Sequence, residues 1–379
     1  MPDLRIIFAL LLLSFQPAMG MQDATSKTVP PARMSPEAGI PAIVDQVIAE
    51  HMKDKGTVGI AVGVIRNGKV VCQKTYGMAD RENKVPVDAD TMFRWASISK
   101  PLTAIVAGQL ALEGKLDLDA DVRTYVPEFP AKDAERPVTM RQLLQHTGGI
   151  VHYTNGPLIP FIRQYDTPHP YESVITALDT FKLSPLVSEP GKEFNYSTHG
   201  YILASAVVER AGGKPFHELV RERISEPLGL DDLQPDYQWK EIPNRAVGYR
   251  RSGGKVITST DTDVSWKLGG GGFISDLDDL ARFAAAINDP DFMTPELRTL
   301  LWTPRMTKGD KPARYAMGFG VRRNEEGEWT SVGHSGAQEK TRTIMTVKPN
   351  TGSGVVVMTN SEFVDPGEVG RAITRQITP

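Results

Sequence analysis

Ser97-Ile98-Ser99-Lys100-Pro101-Leu102-Thr103-Ala104-Ile105-Val106 is the stretch on which the reading of this chain turns. Apolar residues recur with helical spacing at Ile98, Leu102, Ile105, Val106 and Leu110, and Gly114 supplies a stop. Pro101 fits only within a first helical turn, because deeper in a helix its ring breaks the hydrogen-bond ladder. The helix therefore begins near Ser97 and runs to about Glu113, with Ser97 and Lys100 three residues apart on one face. A lysine one turn from a serine can take the hydroxyl proton if burial lowers the ammonium pKa toward neutrality. The helix dipole adds a field that favours an anionic intermediate. A lone Ser-x-x-Lys is a weak signal, and the chain carries a second, Ser252-Gly253-Gly254-Lys255, in a glycine-rich segment that cannot hold a helix. A solvated surface lysine is the plain alternative for Lys100.

Upstream of this helix, Val58 to Ile65 (VGIAVGVI) and Lys69 to Lys74 (KVVCQK) flank Asn67-Gly68. Two apolar runs around Asn-Gly predict a hairpin, since both residues tolerate the positive φ of a type I′ turn. Cys72 lies in the second strand as a small buried apolar residue. Downstream, residues 115–250 read as loops and helices, among them Tyr201 to Ala211, stopped by Gly212-Gly213. Ser275, Asp276 and Asp278 open another helix, Leu277 to Ile287. Trp329 to His334, Thr341 to Val347 and Gly354 to Thr359 read as strands, the last two joined at Pro349-Asn350-Thr351-Gly352. A final helix covers Pro366 to Ile377. Strands at both ends with helices between predict an α/β chain of the α+β type. Its antiparallel sheet is built from both chain ends, about 41–105 and 255–379, and it carries a mainly helical insertion at about 106–254.

The chain has 379 residues, 40% apolar and 23% charged, with a formal net charge of −3. This composition excludes wholesale disorder and argues against a dedicated nucleic-acid binder, which needs a basic face. One cysteine excludes an internal disulfide framework and a thiolate metal cluster. The seven histidines do not cluster at metal spacing, and His217-Glu218 is followed by Arg221 where a zinc helix needs its second histidine, so neither metal nor cofactor is expected. Gly333-His334-Ser335-Gly336-Ala337 nearly matches a nucleophile elbow, but His334 is the last histidine in the chain, so Ser335 lacks a downstream base. Ile6 to Phe15 (IIFALLLLSF) is too short to span a bilayer and suits the core of a signal peptide cut after Gly20. Residues 1–20 are thus expected as a leader, 21–40 as a tether and 41–379 as the folded domain. Export to the periplasm or medium follows, with no stable membrane span after cleavage.

Three further stretches join Ser97–Lys100 in order: Leu143-Leu144-Gln145-His146-Thr147-Gly148-Gly149-Ile150; Glu189-Pro190-Gly191-Lys192-Glu193-Phe194-Asn195-Tyr196-Ser197-Thr198; and Gly333-His334-Ser335-Gly336. Together they resemble the serine β-lactamase-related family, which holds class C β-lactamases, D-Ala-D-Ala carboxypeptidases, D-aminopeptidases and β-lactamase-like esterases. The resemblance runs from about residue 41 to the carboxyl terminus and implies the β-lactamase/transpeptidase-like fold. It implies Ser97 as nucleophile, Lys100 as its base or proton shuttle, and Tyr196 as the tyrosine of a Tyr-x-Asn motif. His334-Ser335-Gly336 resembles the Lys/His-x-Gly strand motif, with Gly336 letting the strand approach the substrate. The backbone N–H groups of Ser97 and Ala337 would form the oxyanion hole. Gly269 to Gly272 matches a family glycine run and is expected to serve close packing, since no lysine–serine pair follows it.

One departure is Thr198, where the family often has asparagine. A hydroxyl replaces an amide, which weakens recognition of a penicillin side chain and resembles the β-lactamase-like serine proteases of animal mitochondria and their bacterial relatives. Tyr153-Thr154-Asn155 is a competing full Tyr-x-Asn. The Glu-Pro-Gly lead-in and the following helix favour Tyr196, leaving Tyr153 to line the site mouth. His152 and His199 are alternative mouth residues, but the expected role for both is exposed and idle. The expected function is a secreted serine hydrolase that cleaves a small-molecule or peptide amide or ester through a Ser97 acyl-enzyme. A peptidase or esterase is favoured over an efficient β-lactamase. The alternative is a non-catalytic or slowly deacylating penicillin-binding receptor or assembly protein.

Overall fold

The computed structural model describes residue 37 and residues 39–377, apart from 134, 162–163 and 306–312. The leader expected at 1–20 and nearly all of the tether expected at 21–40 lie outside the described residues. Helix α1 (Ile40–Lys55) leads into strands β1 (Gly59–Arg66), β2 (Lys69–Asp80), β3 (Val85–Pro86) and β4 (Phe93–Arg94), then helix α2 (Ser99–Leu112). The middle of the chain forms α3 (Met140–Leu144), α4 (Val174–Ala177), α5 (Thr198–Gly212), α6 (Phe216–Val220) and α7 (Glu226–Leu228). Short strands β5 (Gln234–Pro235), β6 (Tyr249–Ser252) and β7 (Lys255–Thr258) follow. Then come α8 (Leu268–Gly271), β8 (Phe273–Ser275), α9 (Leu277–Ala286) and α10 (Pro295–Trp302). Strands β9 (Gly320–Arg323), β10 (Trp329–Gln338), β11 (Thr341–Lys348) and β12 (Ser353–Thr359) precede the last helix, α11 (Pro366–Ile377).

The main sheet has seven strands in the order β3-β2-β1-β12-β11-β10-β9, and every pairing is antiparallel. The first long strand therefore lies against the last, with Val62 opposite Val357. Asn67 and Gly68 take positive φ at the β1–β2 turn, as the hairpin reading expects. β1 is buried along nearly its whole length because helices cover both sheet faces. On one face Val62, Val64 and Val357 pack with Val44 and Ile48 of α1 and with Val369 and Ile373 of α11. On the other, Ala61, Ile65 and Val356 join the larger core with Leu277, Leu280 and Phe283 of α9. Each such fully buried aliphatic side chain contributes about 1.5–3 kcal/mol of transfer free energy.

The structure adds to the sequence reading in two places. The segment before β1, which carried no element, holds α1; Pro41 sits in its first turn, where a missing N–H costs nothing, and Ile40, Val44, Val47 and Ile48 face the sheet. Residues 115–250 are not helix and loop alone. β5 pairs with β8, which also pairs with β4, and β6 and β7 form a hairpin that turns at Ser252–Lys255.

The small sheet holds the turn that carries Ser97. Trp95 N–H bonds the Phe273 carbonyl (2.8 Å), Trp95 Nε1 donates to Ser275 Oγ (2.7 Å), and the Trp95 carbonyl accepts from Thr343 Oγ1 (3.0 Å). Arg94, buried, pairs with buried Asp236 at 2.5 Å. Between these anchors Ala96 is held at φ 49°, a left-handed backbone that L-residues adopt at a cost of about 1–2 kcal/mol. Residues Ala96–Ile98 form a single 3₁₀ turn that feeds into α2.

Candidate active site

Ser97 sits at the mouth of a cavity of about 310 Å³, also lined by Tyr196, Tyr315, His334, Ser335 and Ala337. Its hydroxyl has two protein partners. Lys100 Nζ lies 3.0 Å away, one turn along, and Tyr196 OH lies 3.0 Å away across the cleft. Lys100 is wholly buried. Its Nζ reaches the Gly270 carbonyl at 2.7 Å and Thr198 Oγ1 at 3.4 Å, and it has no carboxylate partner among the described residues. Burial, followed by the nearby positive charge of Lys267, holds the Lys100 pKa well below the ordinary lysine value. A neutral amine at this position can accept a proton from Ser97. The rings of Tyr196 and Tyr201, 4.9 and 5.5 Å from Nζ, then face the ammonium that forms.

Tyr196 is partly buried, and burial raises its pKa, so the phenol holds its proton at neutral pH. It can donate to the Ser97 oxygen or to a leaving group. His146 positions it: the imidazole packs at 4.2 Å from the Tyr196 ring, and its Nδ1 accepts the Ser197 N–H at 3.1 Å. That acceptor role puts the His146 proton on Nε2, which has no hydrogen-bond partner.

His334 is also neutral. Burial, then the neighbouring Lys100, pulls its pKa down to about 3. A carbonyl only accepts, so the contact from Nδ1 to the Ser335 carbonyl (2.6 Å) places the proton on Nδ1. Nε2 then accepts from Tyr315 OH at 3.1 Å. His334 therefore offers no positive charge where a lysine would stand in a Lys-x-Gly strand.

Several expected residues stand where the sequence reading put them: Ser97, Lys100 and Tyr196 converge, and Ser97 and Ala337 share one wall of the cavity. Others do not. Thr198 is 3% exposed and turned toward Lys100 as the first residue of α5, so it addresses the lysine rather than an open subsite. Gly336 meets the protein instead of the cleft. A Cβ there would stand 2.4 Å from the Trp95 carbonyl oxygen and 2.2 Å from Thr343 Oγ1, so the glycine lets β10 press against the Ser97 turn. Gly269 and Gly270 likewise let α8 pack on α5, with Cβ clearances of 2.5 Å to Ser205 and 2.8 Å to Thr198. Tyr153 is not among the described residues that line the Ser97 cavity; its ring lies against Trp266 at 5.8 Å and His152 at 4.0 Å.

His152 and His199 are not exposed and idle. His199 is buried, stacks on Phe181 at 4.5 Å and donates Nδ1 to the Val151 carbonyl. His152 Nδ1 accepts the Thr198 N–H at 3.1 Å, which caps the start of α5. Both follow from a packed loop at 146–153 closing over that helix end. His146, Tyr315 and Lys267 carried no expected role. His146 lay within a quoted motif, but nothing local marked the contacts of Tyr315 and Lys267. Among the described residues no three His, Cys, Asp or Glu side chains gather to hold a metal, and no helix is long and apolar enough to cross a membrane.

The model of the Beta-lactamase family matches residues 44–377. This chain belongs to the Beta-lactamase family. It is 31% identical over 362 residues to the mitochondrial serine beta-lactamase-like protein LACTB of Mus musculus, covering 72% of this chain and 65% of that one. It therefore spans just under two thirds of the length of that relative. Esterase EstB of Burkholderia gladioli is 31% identical over 223 residues, 55% of each chain. Among solved structures, EstCE1, described as a hydrolase with promiscuous acyltransferase activity, superposes with a TM-score of 0.76 at 21% identity, covering 90% of this chain and 99% of that one. That likeness shows the fold. The family points to a serine hydrolase.

Proposed function

We propose that this protein is an exported serine hydrolase that opens an amide or ester through a covalent Ser97 acyl-enzyme. The observation that carries the reading is the setting of Lys100: fully buried, without a carboxylate partner among the described residues, and 3.0 Å from Ser97 Oγ. Lys100 takes the hydroxyl proton as Ser97 Oγ bonds the substrate carbonyl carbon. The N–H groups of Ser97 and Ala337 hold the carbonyl oxygen as it becomes negative. Tyr196 passes a proton to the departing nitrogen or oxygen, the carbon–heteroatom bond breaks, and water then cleaves the acyl-serine ester. Peptides and esters are favoured over β-lactams because His334 is neutral and Thr198 is turned to the lysine, leaving both positions without the groups that would hold a penicillin. Export rests on the Ile6–Phe15 pattern alone, and intact mass of the secreted protein tests it.

The test is intact-protein mass after exposure to a fluorophosphonate and, separately, to a penicillin. A single fluorophosphonate adduct that is absent in Ser97→Ala, and that forms more slowly in Tyr196→Phe than in Tyr153→Phe, is the expected result. An adduct retained in Ser97→Ala, or none in the native protein, overturns the reading. A second reading, a slowly deacylating penicillin-binding protein, draws on the cavity lining, which holds no carboxylate among the described residues to activate water. A penicillin adduct persisting for hours would favour it.

A further inference from the structure

The cavity at Ser97 does not end at β10. Ser335 and Ala337 line both it and a second cavity of about 430 Å³ on the other side of the strand. Ile344, Gly367 and Arg371 in turn line both that cavity and a third, of about 390 Å³, between the sheet and α11. The passage is open because β9 pairs with β10 only as far as Gly333, so His334–Gln338 has β11 on one side and no strand on the other. Along β11, residues 341, 343, 345 and 347 are buried in the core, while 342, 344, 346 and 348 face α11. Arg342 therefore points into the passage.

The charge of this passage is nearly of one sign. Arg322, Arg342, Lys348, Arg371 and Arg375 line it, against one acid among the described lining residues, Asp365, which is paired with Arg371 at 3.3 Å, while Glu362 and Glu339 act on Arg342 from outside the lining. Arg322 and Arg375 have no carboxylate partner among the described residues, and Arg342 spends one guanidinium nitrogen on the Gln338 and Thr341 carbonyls. The chain as a whole is net negative, so the patch is not a reflection of overall charge.

Resting on the acyl-enzyme reading above, we infer that the substrate is an acidic peptide, whose carboxylates away from the scissile bond run over the β10 rim into the basic groove beside α11. A peptide is the occupant the geometry favours. Its main chain can pair with the open edge of β10 at residues 334–338, while glutamate or aspartate side chains meet the arginines beyond. The floor of Ile344 and Val355 accommodates the methylene stems.

The experiment compares fluorogenic peptides that differ only in carrying glutamates or glutamines, on either flank of one scissile bond, with a short chromogenic ester run alongside. The expected result is a kcat/KM about fivefold or more higher for one glutamate peptide at low ionic strength, falling with added salt. The preference is expected to collapse in Arg322→Gln/Arg375→Gln. Equal rates for all peptides, with the ester hydrolysed in a Ser97-dependent way, overturn this inference and leave the acyl-enzyme reading standing. If neither ester nor peptide is turned over, anisotropy of the labelled peptides with Ser97→Ala decides independently: tighter binding of the glutamate form supports the groove, and equal binding overturns it. Arginine-dependent binding to phosphatidylglycerol vesicles without any peptide preference assigns the groove to a membrane surface and likewise overturns the peptide.

Discussion

Arg94 and Lys100 flank the same turn, and both cationic side chains are buried, yet they are treated in opposite ways. Arg94 lies 2.5 Å from Asp236, and neither side chain is more than 2% exposed. Lys100, at 0% exposure, is given a serine hydroxyl, a threonine hydroxyl and a carbonyl, but no carboxylate. A guanidinium cannot shed its proton inside a protein, so burying it requires a counter-charge. An amine can, and withholding the counter-charge makes it a base. One buried cation thus holds the turn in place, and the other is left without a counter-charge.

Breaking the comparison at its reactive end should give the largest effect. Lys100→Met and Lys100→Arg should each lower kcat/KM by about 10³-fold or more in a chromogenic ester assay, although arginine preserves the formal charge. In the native protein burial holds the Lys100 pKa well below the ordinary lysine value, so the base form is reached at lower pH than for a free lysine. The rise of kcat/KM with pH should therefore be complete well before the ordinary lysine value is reached, rather than continuing up to it. Breaking it at the structural end should move stability instead. Asp236→Asn removes the buried carboxylate that both Arg94 and Arg245 share, leaving Arg94 only the exposed Asp261 at 3.8 Å, and should cost about 3–5 kcal/mol in urea unfolding, with a far smaller change in kcat/KM per folded molecule than either Lys100 variant. The smallest effect sharpens the rule with an acid. Burial, then the charge of Asp276, pushes the Asp279 pKa up to about 7, and among the described residues Asp279 makes no ion pair. Its folded form holds a proton that the unfolded chain releases, so this contribution to stability is full below about pH 4 and lost as pH rises through 7. Asp279→Asn can still accept the Asp232 N–H. It should flatten the fall in melting temperature between pH 5 and 8 by roughly 2–4 °C.

The elements legible in the sequence were those with local causes. Asn67-Gly68 fixes its own turn, and the spacing of Ile98, Leu102 and Ile105 fixes a helix wherever the chain places it. Ser97 and Lys100 could be paired because one helical turn joins them. α1 was missed because Pro41 reads as a linker residue until its place in the first turn is known, and β4, β5 and β8 are too short to show a period. Thr198 was given to the substrate because only the tertiary packing of α5 on α2 decides which way its hydroxyl turns. Tyr315 meets His334 from a segment with no periodic signal, and Lys267 acts on Lys100 through space, so neither announces itself locally.

The pairing of β1 with β12 also sets when the catalytic groups can come together. The Val58 N–H bonds Ser361 Oγ across 303 residues of chain, and the Ser97 turn hangs from Thr343 on the neighbouring strand. Closing a loop that long is slow compared with forming any helix in it, so the sheet completes late in folding. A chain still being synthesised has Ser97 and Lys100 on a helix but lacks Thr198 of α5 and Gly270 of α8, which close over the lysine. Its amine stays solvated until those elements form, and the Ser97 turn takes its final place only when the carboxyl-terminal strands arrive.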